Sequence, residues 1–155
     1  MTEPKNISEQ DPPALYNKVH RLALEIIESS ETNDLQSMWQ AYNRLKELCE
    51  ENQYTSVDHP FQWEVLADFT NDPKAAIRIY HNALKLALKA DFREYVASIL
   101  IALAENYLHI GERVFAWKEA LAADRLARET NNLRLRQEIS EFLLNMSASS
   151  DGKSD

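Results

Sequence analysis

Residues Tyr95 to Asn132 read YVASILIALAENYLHIGERVFAWKEALAADRLARETNN, and this stretch decides the fold. Val96, Ile99, Leu100, Leu103, Tyr107 and Ile110 recur at spacings of three and four, which is one apolar stripe on a 3.6-period helix. Gly111, one of only two glycines in the chain, ends that helix, because glycine accepts the positive φ of a helix C-cap. A second helix is predicted from Glu112 to about Thr130, with Ala116, Ala120, Ala123 and Ala127 letting its backbone approach the first closely. The stretch is therefore read as two helices folded back on each other.

The same pattern stands 40 positions earlier, where Ala76, Ala83, Leu86 and Ala87 correspond to Ala116, Ala123, Leu126 and Ala127. An internal repeat is the simplest account. Leu103-Ala104, Tyr107, Gly111, Ala116, Ala120 and Ala123 give this stretch a spacing that resembles the tetratricopeptide-type repeats, in the variety with about 40 residues per repeat. The resemblance covers roughly Phe61 to Asn132, with the second copy matching better: in the first, Asn71 replaces the turn glycine and Ala67 the aromatic. It implies a short right-handed αα-superhelix in which the first helix of each pair lines a concave groove. Carried onto this chain, that role falls to Phe61, Val65, Asp68 and Phe69 in one copy and to Ser98, Ile101, Glu105, Leu108 and His109 in the other. Such a groove is apolar with acidic spots and suits a partner with a basic or amphipathic segment. The lysine and asparagine pattern with which some members of the family clamp a C-terminal carboxylate is not met.

Outward from this core, residues 1–11 are polar, proline-flanked and read as a flexible lead. Asp11-Pro12 reads as a helix start, ahead of a helix carrying Leu15, Val19, Leu22, Ala23, Ile26 and Ile27 on one face. Thr32-Asn33-Asp34 starts a second helix with Leu35, Met38, Trp39, Tyr42, Leu45, Leu48 and Cys49 in register, so the two form an antiparallel hairpin, a degenerate repeat. After the linker Gln53–Pro60, Asp58 is read as the cap of a third helix, and Asn71-Asp72-Pro73 as a stop and restart. A seventh, terminal capping helix with Leu135, Ile139, Phe142, Leu143 and Met146 on its dry face is predicted to end at Met146, leaving 147–155 as a disordered tail. The expectation is thus an all-α chain of about seven helices, with residues 12–146 as a single domain.

Composition agrees with that class. Few glycines and prolines beside abundant Ala, Leu and Glu favour helices over sheet. The single cysteine, Cys49, allows no internal disulfide and falls among apolar positions, where a small core residue is expected. No apolar run reaches the length of a membrane span, which with the missing signal-type segment suggests a cytoplasmic protein. The net charge of −8 speaks against a phosphate backbone as principal partner. Residues 1–60 hold eleven acids against five bases, so the first hairpin reads as the acidic end.

Signals for catalysis are thin. Glu105 and His109 share a helix face, but no third ligand lies at a motif distance, and His20, His59 and His81 are scattered. The glycine-rich phosphate loops and the GxSxG elbow are absent. Arg113, Lys118, Arg125 and Arg128, followed by Arg134 and Arg136, read as a solvated basic face, and Trp39, Trp63 and Trp117 as packing aromatics. The resulting expectation is a non-enzymatic protein-binding module, without metal or cofactor, with nucleic acid and membrane disfavoured and self-association possible. The alternatives are a dedicated immunity or chaperone protein and a regulatory domain that binds a peptide or RNA.

Overall fold

The computed structural model describes residues 7–151 and is all-helical, with no strand among the described residues. Its seven helices are α1 (Tyr16–Glu31), α2 (Leu35–Glu51), α3 (Pro60–Asp68), α4 (Pro73–Ala90), α5 (Arg93–His109), α6 (Arg113–Ala127) and α7 (Leu133–Asp151). Each helix packs on the next in the chain, and α3 additionally touches α1 and α5. That nearest-neighbour stacking is how repeat architectures bury a continuous core from units that have none alone.

The turns explain the pairing. At the end of α5, Gly111 has φ +82°, its N–H donates to the Leu108 carbonyl at 3.0 Å, and the Glu112 N–H reaches back to the Tyr107 carbonyl at 2.9 Å. This pair of bonds is a Schellman closure. The same two bonds recur after α1, from Asn33 to Ser30 and Asp34 to Ser29, and after α4, from Asp91 to Leu88 and Phe92 to Ala87. Asn33 and Asp91 take the left-handed conformation there, which short polar side chains tolerate better than most. Asn71, the counterpart of Gly111, is not among the positive-φ residues, and Asp72 and Pro73 instead restart the chain as cap and first helical residue.

The alanine ladder sits where the repeat places it: Ala76, Ala83, Ala87, Ala116, Ala120, Ala123 and Ala127 are all buried, as are Val96, Ile99, Leu100 and Leu103 opposite them. Cys49 is fully buried too, its thiol donating to the Gln62 carbonyl at 3.4 Å, and burial pushes it up to about 12. It is a core residue.

Several expectations are corrected. Helix α1 starts at Tyr16, because the Asp11 carboxylate accepts from the Ser8 N–H and closes a turn in the lead instead of capping a helix. Residues 7–11 are held, with Glu9 Oε1 accepting from the Tyr95 N–H at 2.9 Å; the rest of the expected flexible lead, residues 1–6, lies outside the described residues. The cap of α3 is His59, whose Nδ1 accepts from the Phe61 N–H, while Asp58 takes the indole N–H of Trp63 at 2.7 Å. Helix α7 continues past Met146 to Asp151: Arg113 donates to the Met146 carbonyl and Ser149 Oγ, holding the last turn on α6. Residues 152–155 of the expected tail lie outside the described residues. Only Trp63 packs inside; Trp39 is 62% and Trp117 38% exposed.

Candidate functional site: an acidic face on the odd-numbered helices

Charge is sorted between α3 and α4. The sequence of α3 carries Glu64 and Asp68 and no base, whereas α4 carries Lys74, Arg78, Lys85 and Lys89 and no acid. Helices α5 and α7 add Glu94, Glu105, Glu138 and Glu141, beside the bases Arg93, Arg134 and Arg136. The balanced net charge of the second half of the chain thus conceals an acidic side and a basic side.

The acidic side is built around Glu64. This residue lies mid-helix in α3, and its neighbours Trp63 and Leu66 fix the helix against the core. The side chain as a whole is only partly covered, but Oε2 is shut off from solvent and has no hydrogen-bond partner. Burial first, and the charge of Asp68 next, push the carboxyl up to about 8, while the hydroxyl of Ser98 hydrogen-bonds it and favours the charged form. Glu64 lines a pocket of about 430 Å³ together with Glu9, Glu94, Tyr95, Ser98, Arg134 and Glu138. Two of the acids there are already engaged: Glu94 accepts from Asn132 Nδ2 at 2.6 Å, and Glu9 holds the Tyr95 backbone.

Further along, Glu105 of α5 meets Glu138 of α7. Loss of solvent, then the Glu138 charge and a hydrogen bond between the two carboxyls, raise Glu105 to about 7. One proton shared by two acids is the ordinary outcome of such a meeting. Asp68 is raised for the same first reason, against the pull of a hydrogen bond from Tyr80. Glu64, Asp68, Glu105 and Glu138 therefore form one electrostatically linked set. Among the described residues its members make no ion pair with a lysine or arginine.

Of the expected groove residues, the structure brings Ser98, Asp68 and Glu105 to this face. Ile101 is a correction: it is 2% exposed and belongs to the core, because α5 is packed on both α4 and α6 and its apolar stripe wraps more than half the helix. Phe61 is half-buried, stacked on Tyr16 at 5.3 Å between ring centroids; Val65 and Leu108 are half-buried and His109 is exposed. Phe69 lines a different hollow, of about 570 Å³, with Ile27, Met38, Trp39 and Tyr42. The face is acidic rather than apolar. Glu64 and Glu138 were not singled out by periodicity, although an acid flanked by the apolar residues Trp63, Val65 and Leu66 was a usable signal.

Arg134, read in the sequence with the basic face, lines the acidic pocket instead, and Arg113 is spent on the end of α7. Glu105 and His109 gain no third ligand, for no group of three potential metal ligands occurs among the described residues. No described helix is long and apolar enough to cross a membrane. Compared with family models, curated proteins and solved structures, the chain has no significant match to any of them.

Proposed function

We propose that this chain is a non-enzymatic, cytoplasmic binding module of tetratricopeptide-like build that holds a basic segment of a partner protein against the acidic face of α3, α5 and α7. The observation that carries the reading is the linked set Glu64, Asp68, Glu105 and Glu138, gathered from three helices and, among the described residues, in no ion pair with a lysine or arginine. Assembling like charges costs stability, and that cost is released when a partner supplies the missing positive charge. A phosphate backbone is repelled by the same face.

Fluorescence anisotropy with a labelled oligo-arginine peptide tests this, with oligo-glutamate as the opposite probe. Binding of the cationic peptide should weaken as salt rises and in Glu105→Gln with Glu138→Gln. It should persist in Arg125→Glu with Arg128→Glu on α6. Binding of oligo-glutamate that is lost in the Arg125→Glu with Arg128→Glu pair would place the partner on the basic side.

A further inference from the structure

Resting on the binding role just given, we propose that the pocket walled by Glu64, Ser98, Glu94 and Glu138 receives one lysine or arginine side chain of the partner segment, with the Glu64 carboxylate as its counter-ion. A row of surface acids would attract a basic segment without fixing where it lies. Glu64 differs from the other acids in three ways. It is rooted mid-helix in the shortest helix of the stack, flanked by buried Gln62, Trp63 and Leu66, so its position is set by the core. Its Oε2 is buried with no partner, in a pocket whose other carboxylates at Glu9 and Glu94 are already hydrogen-bonded from within. The pocket, about 430 Å³, is roomy enough for a side-chain head with accompanying water.

An unsatisfied buried carboxyl oxygen is costly, and a turn of the carboxyl toward the pocket lets an ammonium or guanidinium supply a charge-assisted hydrogen bond, the strongest available remedy. The groups around it favour a cation. Asp68 shares its helix, Tyr95 and Glu94 come from α5, Glu138 from α7, and Glu9 from the lead. The one positive group lining the pocket is Arg134, which is exposed and in no ion pair among the described residues. Its like charge opposes an incoming cation, and its removal should ease entry.

Binding of the cation is coupled to loss of a proton. The uncomplexed Glu64 carboxyl holds its proton up to about pH 8. A cation selects the ionised form, so below that point each cation bound releases a proton and affinity falls by about tenfold for each pH unit of acidification. Above it the dependence on Glu64 disappears. Glu105, titrating near 7, faces the neighbouring stretch of the acidic face and adds its own, smaller slope lower down.

The experiment is an amide-resolved NMR titration of the full chain with N-acetyl-arginine methylamide and with N-acetyl-lysine methylamide, the citrulline analogue serving as the uncharged control. Saturable shifts at Glu64, Ser98 and Glu138 with either cation, and none with citrulline, are expected; the better of the two identifies the preferred side chain. Glu64→Gln should weaken the cation at least tenfold and flatten the pH slope between 7 and 8, and Arg134→Ala should tighten it. Both variants are checked for wild-type amide dispersion, and Ser98→Ala, which should bind more weakly at neutral pH, gives a second route should Glu64→Gln not fold. A Glu64→Gln protein that binds as tightly as wild type, with the same pH slope, overturns the anchor. If oligo-arginine still binds through Glu105 and Glu138 in that case, the binding face stands without this pocket; if no cationic probe binds, both fall.

Discussion

Tyr80 of α4 donates its phenolic hydrogen to the carboxylate of Asp68 at the end of α3, linking the acidic side of the stack to the basic one. Asp68 in turn raises the phenol further above its ordinary range, on top of burial. The bond favours the charged form of Asp68 against the desolvation that opposes it. Tyr80→Phe should therefore destabilise the chain by about 0.5–1.5 kcal/mol, the net worth of an ordinary hydrogen bond, since Asp68 itself is exposed and water can replace the lost donor. The loss should be larger in mild alkali than in mild acid, where Asp68 tolerates protonation. Urea midpoints of the two proteins at two pH values measure it; equal losses at both would show that the hydroxyl does not govern Asp68.

Glu64 gives stability an unusual dependence on pH. Its folded-state titration point lies near 8, above that of an unfolded glutamate, so the native chain binds this proton more tightly. The resulting stabilisation is complete below the ordinary carboxylate range and drains away as pH rises through about 8, by something on the order of a few kcal/mol. Glu105 contributes in the same direction up to about 7. His59 acts oppositely: burial lowers it, so its contribution is lost as pH falls through its ordinary range. Maximal stability is expected in mild acid. Glu64→Gln, which cannot ionise, should melt close to wild type there and well above it in mild alkali. A melting temperature that rises steadily with pH for wild type would contradict the burial of this carboxyl.

The helices were legible because their evidence is local. Apolar residues at spacings of three and four, Gly111 at φ +82°, and the buried alanine ladder from Ala76 to Ala127 each follow from chain-adjacent physics. Ends were less legible where a tertiary partner chose between candidates. Asp58 has a good capping side chain, but Trp63 claims it, and the polar run after Met146 stays helical because Arg113 reaches across from α6. The acidic face was half visible. Asp68, Ser98 and Glu105 lie on the first helices of their pairs, whereas Glu64 and Glu138 acquire meaning only once residues of α3, α5 and α7 line one pocket. Ile101 was misplaced for a related reason: a helix packed on two neighbours buries a wider arc than one stripe predicts.

Asp58 is predicted to matter as a clamp on the linker. Its two carboxylate oxygens accept from the Trp63 indole at 2.7 Å and from the Tyr54 N–H at 2.9 Å, and Tyr54 is held there at φ +67°. Asp58→Ala should cost about 1–3 kcal/mol, since it orphans a buried indole N–H and frees a strained backbone position. Asp58→Asn, which keeps one acceptor, should cost less. Were Asp58→Ala as stable as wild type in chemical denaturation, the linker would be held by the His59 ring, packed on Phe92 and Tyr95, and by Gln62 Nε2 on the Val57 carbonyl.

Gly111 and Ala116 test the turn and the packing of the best-formed pair separately. A side chain at Gly111 meets no atom within 4 Å, so any penalty there comes from the backbone conformation and not from a clash. A β-branched residue tolerates φ +82° poorly, and Gly111→Val should cost more than about 1 kcal/mol. Gly111→Asn should recover much of that, since the equivalent turn after α1 already uses Asn33 at φ +57°. Ala116 is fully buried, so Ala116→Leu should destabilise by overpacking, about 1–3 kcal/mol. The two effects should add, because one acts through backbone strain in the turn and the other through side-chain volume in α6. Thermal melts of the single and double variants decide the matter: a Gly111→Asn chain no more stable than Gly111→Val would mean that this turn does not share the closure found after α1.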